Sequence, residues 1–268
     1  MDQRCRWQKR VSAEIAIRDL SVSVGAGTTR ERLVLDRLAL TVRPASICAI
    51  VGRSGCGKTT FLKTIAGALD DHAASATGSV QFRSCEGSEL SSPSVGMVFQ
   101  RSFLLPWRTA LQNVALNQRI QARSTDSASH ARALLERVGL AEHGWKYPHE
   151  LSGGMQQRVA LAREFARPLD VLLMDEPFRM LDCVTHEQLV DCLLMFWREQ
   201  QTTIVMVTHD PMEAVLLADV VFVLDRGRVA ATLDVSERLS GLRGREARTS
   251  PHFQELVECV HTLIRDCA

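Results

Sequence analysis

The chain is poor in aromatic side chains and carries no excess of either charge. Aromatics make up 5% of its 268 residues, and Tyr147 is its one tyrosine. Its 32 Lys and Arg face 31 Asp and Glu, for a formal net charge of +1. That balance creates no overall field for polyanions, so no nucleic-acid partner is expected. No run of about 18 apolar residues occurs, so no segment is expected to span a bilayer. Met1 to Arg10 is polar and basic with no apolar stretch behind it, unlike a signal peptide. None of the eight cysteines forms a C-x-x-C pair, which argues against a zinc site. Cys56 lies in a glycine-rich loop where a disulfide would be disruptive, so reduced thiols in a cytosolic protein are expected. What is plentiful is apolar: 46% of residues are hydrophobic, enough for a sizeable core.

Gly52-Arg53-Ser54-Gly55-Cys56-Gly57-Lys58-Thr59 reads G-x-x-x-x-G-K-T, a phosphate-binding P-loop. It follows the apolar run 47–51 and precedes a helical pattern from Thr60 to Ala66, which Gly67 ends. The glycines let the backbone turn tightly, and successive N–H groups then form an anion nest at a helix N-terminus. Lys58 is placed to reach β- and γ-phosphates, and Thr59 to give Mg²⁺ a hydroxyl ligand. Val171-Leu172-Leu173-Met174 is a wholly apolar run that delivers Asp175 and Glu176 to a strand end. Asp175 is placed to hold Mg²⁺, and Glu176 to deprotonate an attacking water.

Around these motifs the chain alternates between strand and helix patterns. Strands are expected near 15–24 and 33–42, joined by a polar stretch, as an antiparallel edge sheet. Residues 70–79 read as a loop, 80–82 and 95–99 as strands, and 84–94 as the turn between those strands. Helical periodicity runs from Leu111 to about Arg137, with Ser127 as an N-cap and Gly139 as a stop. Further helices are expected at 153–166, 184–200 and 211–218, and a strand at 203–208. Asp225-Arg226-Gly227 signals a hairpin between 220–224 and 228–233. The segment 251–266 gathers Phe253, Leu256, Val257, Val260, Leu263 and Ile264 on one helical face, expected to pack on the chain's own core. Arg243, Arg245 and Arg248, just before it, read as solvated. The expectation is an α/β fold: a P-loop NTPase core with a mainly parallel sheet, an N-terminal antiparallel β-subdomain and an inserted helical subdomain at about 101–165. One domain covers 1–235, and a linker with an amphipathic helix covers 236–268.

Leu151-Ser152-Gly153-Gly154-Met155-Gln156-Gln157-Arg158 resembles the LSGGQ signature of ATP-binding-cassette (ABC) ATPases, with Met155 where many members carry Gln. The resemblance covers about residues 13–235. It implies that ATP and Mg²⁺ bind between two copies, Gly52–Thr60 of one facing Ser152, Gly153 and Gly154 of the other. Gln100 is similar to the Q-loop glutamine, a ligand of Mg²⁺ or of the lytic water, and His209 to the switch histidine. Asp182 resembles the D-loop aspartate that crosses the dimer interface, although Met180 replaces a usual small neighbour. Leu104-Leu105-Pro106-Trp107-Arg108-Thr109, with Asn113-Val114 following, is similar to a stretch in nitrate, sulfonate and taurine importer ATPases, and in importers of pyrimidine precursors. There, the resemblance implies, this region receives a permease helix, and Trp107 is a plausible anchor.

Two positions depart from the family's pattern. Val24 stands where an aromatic usually stacks on adenine, and Ala45-Ser46 replaces a usual Gly-Glu. The expected protein is an ATPase at the cytoplasmic face of a membrane, energising an importer of a small anion or organic nutrient. Its partners are a second ATPase subunit, a transmembrane permease and, indirectly, an extracytoplasmic binding protein. A soluble ABC ATPase and a non-hydrolysing nucleotide switch are the alternatives.

Overall fold

A computed structural model describes residues 12–25, 31–69, 74–117, 127–179 and 181–267. The basic leader, Met180 and the middle of the segment expected to be helical between 111 and 137 lie outside the described residues.

The core is a six-stranded sheet of β3 (Ile47–Val51), β5 (Val95–Val98), β6 (Val171–Asp175), β7 (Thr203–Val207), β8 (Val220–Asp225) and β9 (Arg228–Asp234). Its order is β5-β6-β7-β3-β8-β9, with β9 alone antiparallel to its neighbour. β3 and β7 are buried at every residue, as their unbroken apolar runs require of strands covered on both faces. Alternate residues feed two cores. Ile47, Ala49 and Val51 point into one with helices from the second half of the chain. Cys48 and Ile50 point into the other, with Phe61 and Leu62 of α1 (Lys58–Ile65).

That second core is closed by a three-stranded antiparallel sheet ordered β2-β1-β4, of β1 (Glu14–Val24), β2 (Arg32–Val42) and β4 (Ala74–Arg83). β4 corrects the loop expected over 70–79: from Ala74 onward the chain is strand. Its small polar residues hide this because most are exposed, and the strand is held by backbone pairing to β1 rather than by burial.

Between β5 and β6 lie α2 (Ala110–Val114), α3 (Ser127–Arg137) and α4 (Gly153–Phe165). α2 is one turn with a Thr109–Gln112 capping box, so the expected long helix is broken. Ser127 is already helical rather than a cap. Gly139 follows α3 with a φ of 70°, as a helix stop should.

α5 (Cys183–Gln200), α6 (Pro211–Leu217), α7 (Val235–Arg238) and α8 (Phe253–Asp266) complete the helices named here. The hairpin turns at Arg226 and Gly227, both at positive φ as a type I′ turn demands. α8 buries Phe253, Leu256 and Val260 in the first core. The linker before it is only in part the solvated segment expected: Arg245 and Arg248 are exposed, and Arg243 is not. Arg243 pairs with the buried Asp219, which accepts from the Ile47 amide at 2.8 Å, and lies over the Trp197 ring at 4.4 Å. Arg245 and Arg248 pair with acids on α5. Among the described residues no helix is long and apolar enough to cross a membrane.

Candidate active site

Three adjacent strands, β6, β7 and β3, end on the same edge of the sheet, where ligands of open α/β folds bind. The P-loop leaves β3, Asp175 ends β6, and His209 follows β7 by two residues. The loop turns through a Cys56 N–H bond to the Arg53 carbonyl at 3.3 Å. Arg53, Ser54, Gly55 and Thr59 are exposed, Thr60 is half-buried, and Gly52, Cys56 and Gly57 are buried. Gly57 has a φ of 107°, and a Cβ there would lie 2.8 Å from Leu35 and 3.0 Å from the Val34 carbonyl. The start of β2 therefore leans on the loop, and only glycine fits between them. Lys58 is buried and donates to the Gly52 and Arg53 carbonyls at 2.7 and 2.9 Å, which fixes its charge inside the loop.

The Thr59 hydroxyl lies 3.4 Å from an Asp175 carboxylate oxygen. This pair of oxygens is chemically suited to a hard cation such as Mg²⁺. Burial raises the Asp175 carboxyl above its usual range, against the lowering effect of the Thr59 bond. Gln100, just beyond β5, shares an open groove with Thr59 and Asp175. Its carbonyl accepts from the buried Gln157 amide at 2.6 Å.

Glu176 continues the β6–β7 ladder by one bond, its N–H donating to the Val207 carbonyl at 2.9 Å. Its φ is then 46°, a left-handed conformation that turns its side chain out of the sheet. One carboxylate oxygen lies 3.5 Å from His209 Nδ1, and the other accepts from Arg179 at 2.8 Å. The expected base and switch histidine are thus in contact, although 33 positions apart in sequence.

Ser152 caps α4 by accepting from the Met155 amide at 3.3 Å. The two glycines that follow differ. Gly153 is exposed, and a Cβ there would meet nothing within 4 Å, whereas a Cβ on Gly154 would fall 1.9 Å from the Thr185 methyl. Among the described residues no hydrogen bond joins 152–154 to the P-loop. Asp182 caps α5, accepting from the Val184 and Thr185 amides and the Thr185 hydroxyl. The Thr185 bond holds its carboxyl below the usual range. Val24 ends β1, partly exposed, opposite Arg32.

Trp107 is 69% exposed in a loop that the buried Asn113 clasps. Asn113 bonds the Leu105 N–H and the carbonyls of Leu105, Arg108 and Thr109. Sequence reasoning missed Arg179, Gln157, Thr208, Glu213 and His186. Arg179 left a trace, standing three positions after Glu176, and Gln157 another, as part of the signature stretch 151–158.

A model of the ABC transporter family matches residues 35–179. An aliphatic sulfonates import ATP-binding protein of Burkholderia lata is 42% identical over 199 residues, which cover 74% of this chain and 59% of that protein. The chain therefore spans about six tenths of that relative's length. A taurine import ATP-binding protein of Jannaschia sp. is 35% identical over 259 residues, 94% of either chain. Among solved structures, a dimeric ATP-binding cassette in a post-hydrolysis state with ADP and phosphate aligns at a TM-score of 0.69 and 28% identity, over 82% of this chain and 98% of that one.

Proposed function

Since the chain belongs to the ABC transporter family, we propose that it is the ATP-hydrolysing subunit of an importer for a sulfonate, taurine, nitrate or a similar small anion or organic nutrient. The observation that carries the ATPase reading is the convergence of Lys58, Thr59, Asp175, Glu176 and His209 at three neighbouring strand ends. The importer reading rests on the sulfonate and taurine relatives and on the exposed Trp107 loop.

The site fits ATP and Mg²⁺ by its own chemistry: a loop of exposed backbone at a helix N-terminus, a buried lysine and a Thr–Asp oxygen pair. When bound, ATP–Mg²⁺ supplies the transferable phosphoryl group and the cation that offsets its charge. Gly52 to Thr60 cradle the phosphates, and Lys58 stabilises charge on the transferred group. Thr59, Asp175 and Gln100 would hold the cation or its water. Glu176 takes the proton of the attacking water, and its contact with His209 orients both groups. Val24 would meet the base. Ser152, Gly153, Gly154 and Asp182 act in trans, completing the phosphate site of a second copy. The helical segment between β5 and β6, about 101–165, forms a subdomain that meets the permease through Gln100 and Trp107. The chain works at the cytoplasmic face of the membrane.

Glu176→Gln tests this directly. The variant is expected to bind ATP and to dimerise, with steady-state hydrolysis reduced by about 10²-fold or more. Appreciable turnover by the variant sinks Glu176 as the base. A wild type that turns over no faster than the variant favours the non-hydrolysing switch.

A further inference from the structure

His209 is exposed, and a mobile imidazole would be a poor partner for a reacting phosphate. The turn that carries it is held from below. The buried Thr208 donates its backbone N–H to the Ile50 carbonyl at 3.2 Å, tying the turn to the P-loop strand. Its hydroxyl accepts from the Asp210 amide at 3.1 Å and donates to one carboxylate oxygen of Glu213 in α6. The other Glu213 oxygen lies 3.6 Å from His186 Nε2. Both side chains are largely withdrawn from water, at 12% and 19% exposure.

His186 also touches the opposite side of the site. Its ring packs on Phe178, buried two residues beyond Glu176, at 5.0 Å between centroids. One imidazole therefore bridges the segment that carries the carboxylate and the turn that carries the switch histidine. Glu176 and His209 meet at 3.5 Å above this bridge.

We propose that His186 is a positioning residue for ATP hydrolysis, acting through Glu213 and Thr208 to hold the His209 turn in register with Glu176. The inference rests on the hydrolytic reading of the site. It gives His186 no contact with nucleotide, so its loss affects turnover rather than binding.

The test uses the full chain and measures kcat, the KM for ATP and hydrogen exchange at the Asp210 amide. His186→Ala is expected to lower kcat about tenfold or more, as misplacing a reacting group does. The KM should stay within about twofold, and the Asp210 amide should exchange about fivefold faster or more. His186→Arg, whose guanidinium can still reach Glu213, should return kcat to within about threefold of wild type and restore slow exchange. Adding His186→Ala to Glu213→Gln should cost little beyond Glu213→Gln alone, because the two act as one unit. Wild-type kcat and exchange in His186→Ala overturn the proposal. So does an Arg variant as impaired as the Ala variant, or losses that multiply in the double variant. If the wild type itself hydrolyses no ATP, the proposed function falls, and Asp210 exchange alone decides whether His186 holds the turn.

Discussion

Asp175 carries a carboxylate that folding draws out of water, and burial raises it above the usual range. The folded chain thus holds this proton to higher pH than the unfolded chain. Stability falls as pH rises through the window between the two values, and the cost persists above it. Asp175→Asn removes that cost. The variant should melt no lower than wild type at neutral pH, and its advantage should shrink as pH falls through the window. Its Mg²⁺-dependent ATP affinity should drop sharply. Melting curves across pH and nucleotide titrations with and without Mg²⁺ check both parts. Val24, proposed to meet the base, poses the opposite problem, too little surface for that role. It is 39% exposed at the end of β1 and offers no π-face to a base. Val24→Tyr is expected to tighten ATP binding by about 1 kcal/mol or more, roughly fivefold, as stacking on an aromatic does. Unchanged affinity by calorimetry would remove the stacking explanation. Asp175 was legible as a strand end from its apolar run, whereas Val24 was singled out only through the family resemblance. The contact between Glu176 and His209 was not legible, since it depends on which strands are neighbours.

The helix α4 separates two uses of glycine that the sequence writes identically. Gly154 is a packing requirement, because the Thr185 methyl occupies the space of a side chain. Gly153 faces open space and has no such requirement within one chain. Gly154→Ala should therefore destabilise the isolated chain by about 1–3 kcal/mol, in the range of overpacking. Gly153→Ala should leave its melting temperature nearly unchanged yet impair ATP-dependent dimerisation and turnover. Equal melting shifts for the two variants would contradict this division of roles. The same helix holds the loop after β5 along its length. Gln157 donates to the Phe99 and Gln100 carbonyls, Gln156 accepts from Ser102, and Arg163 donates to the Phe103 carbonyl. Periodicity announced α4 as a helix but gave no hint of what its polar face grips.

At the scale of the whole molecule, one end of the nucleotide site is joined to an exposed aromatic loop through that helix. Trp107 is the most exposed of the large apolar side chains in its loop, and Asn113 keeps the loop rigid beneath it. Trp107→Ala should leave the stability and basal ATPase of the isolated chain near wild type. With permease membranes present, stimulated hydrolysis and uptake should fall. A loss of basal ATPase of the same size would make Trp107 a folding residue instead.

Local order along the chain determined much of this protein. The P-loop, the apolar strands β3, β6 and β7, the hairpin at Asp225–Arg228 and the face of α8 follow from residue type and period, because each depends on near neighbours in sequence. Tertiary structure alone decided the rest. β4 exists because β1 offers its backbone a partner, and Arg243 is largely withdrawn from water because Asp219 and Trp197 meet it there. His186 reaches the His209 turn only because the tertiary fold brings the start of α5 to Glu213 of α6. These features are set by long-range pairing, whose energy is shared between residues far apart, and so leave no mark in the local pattern.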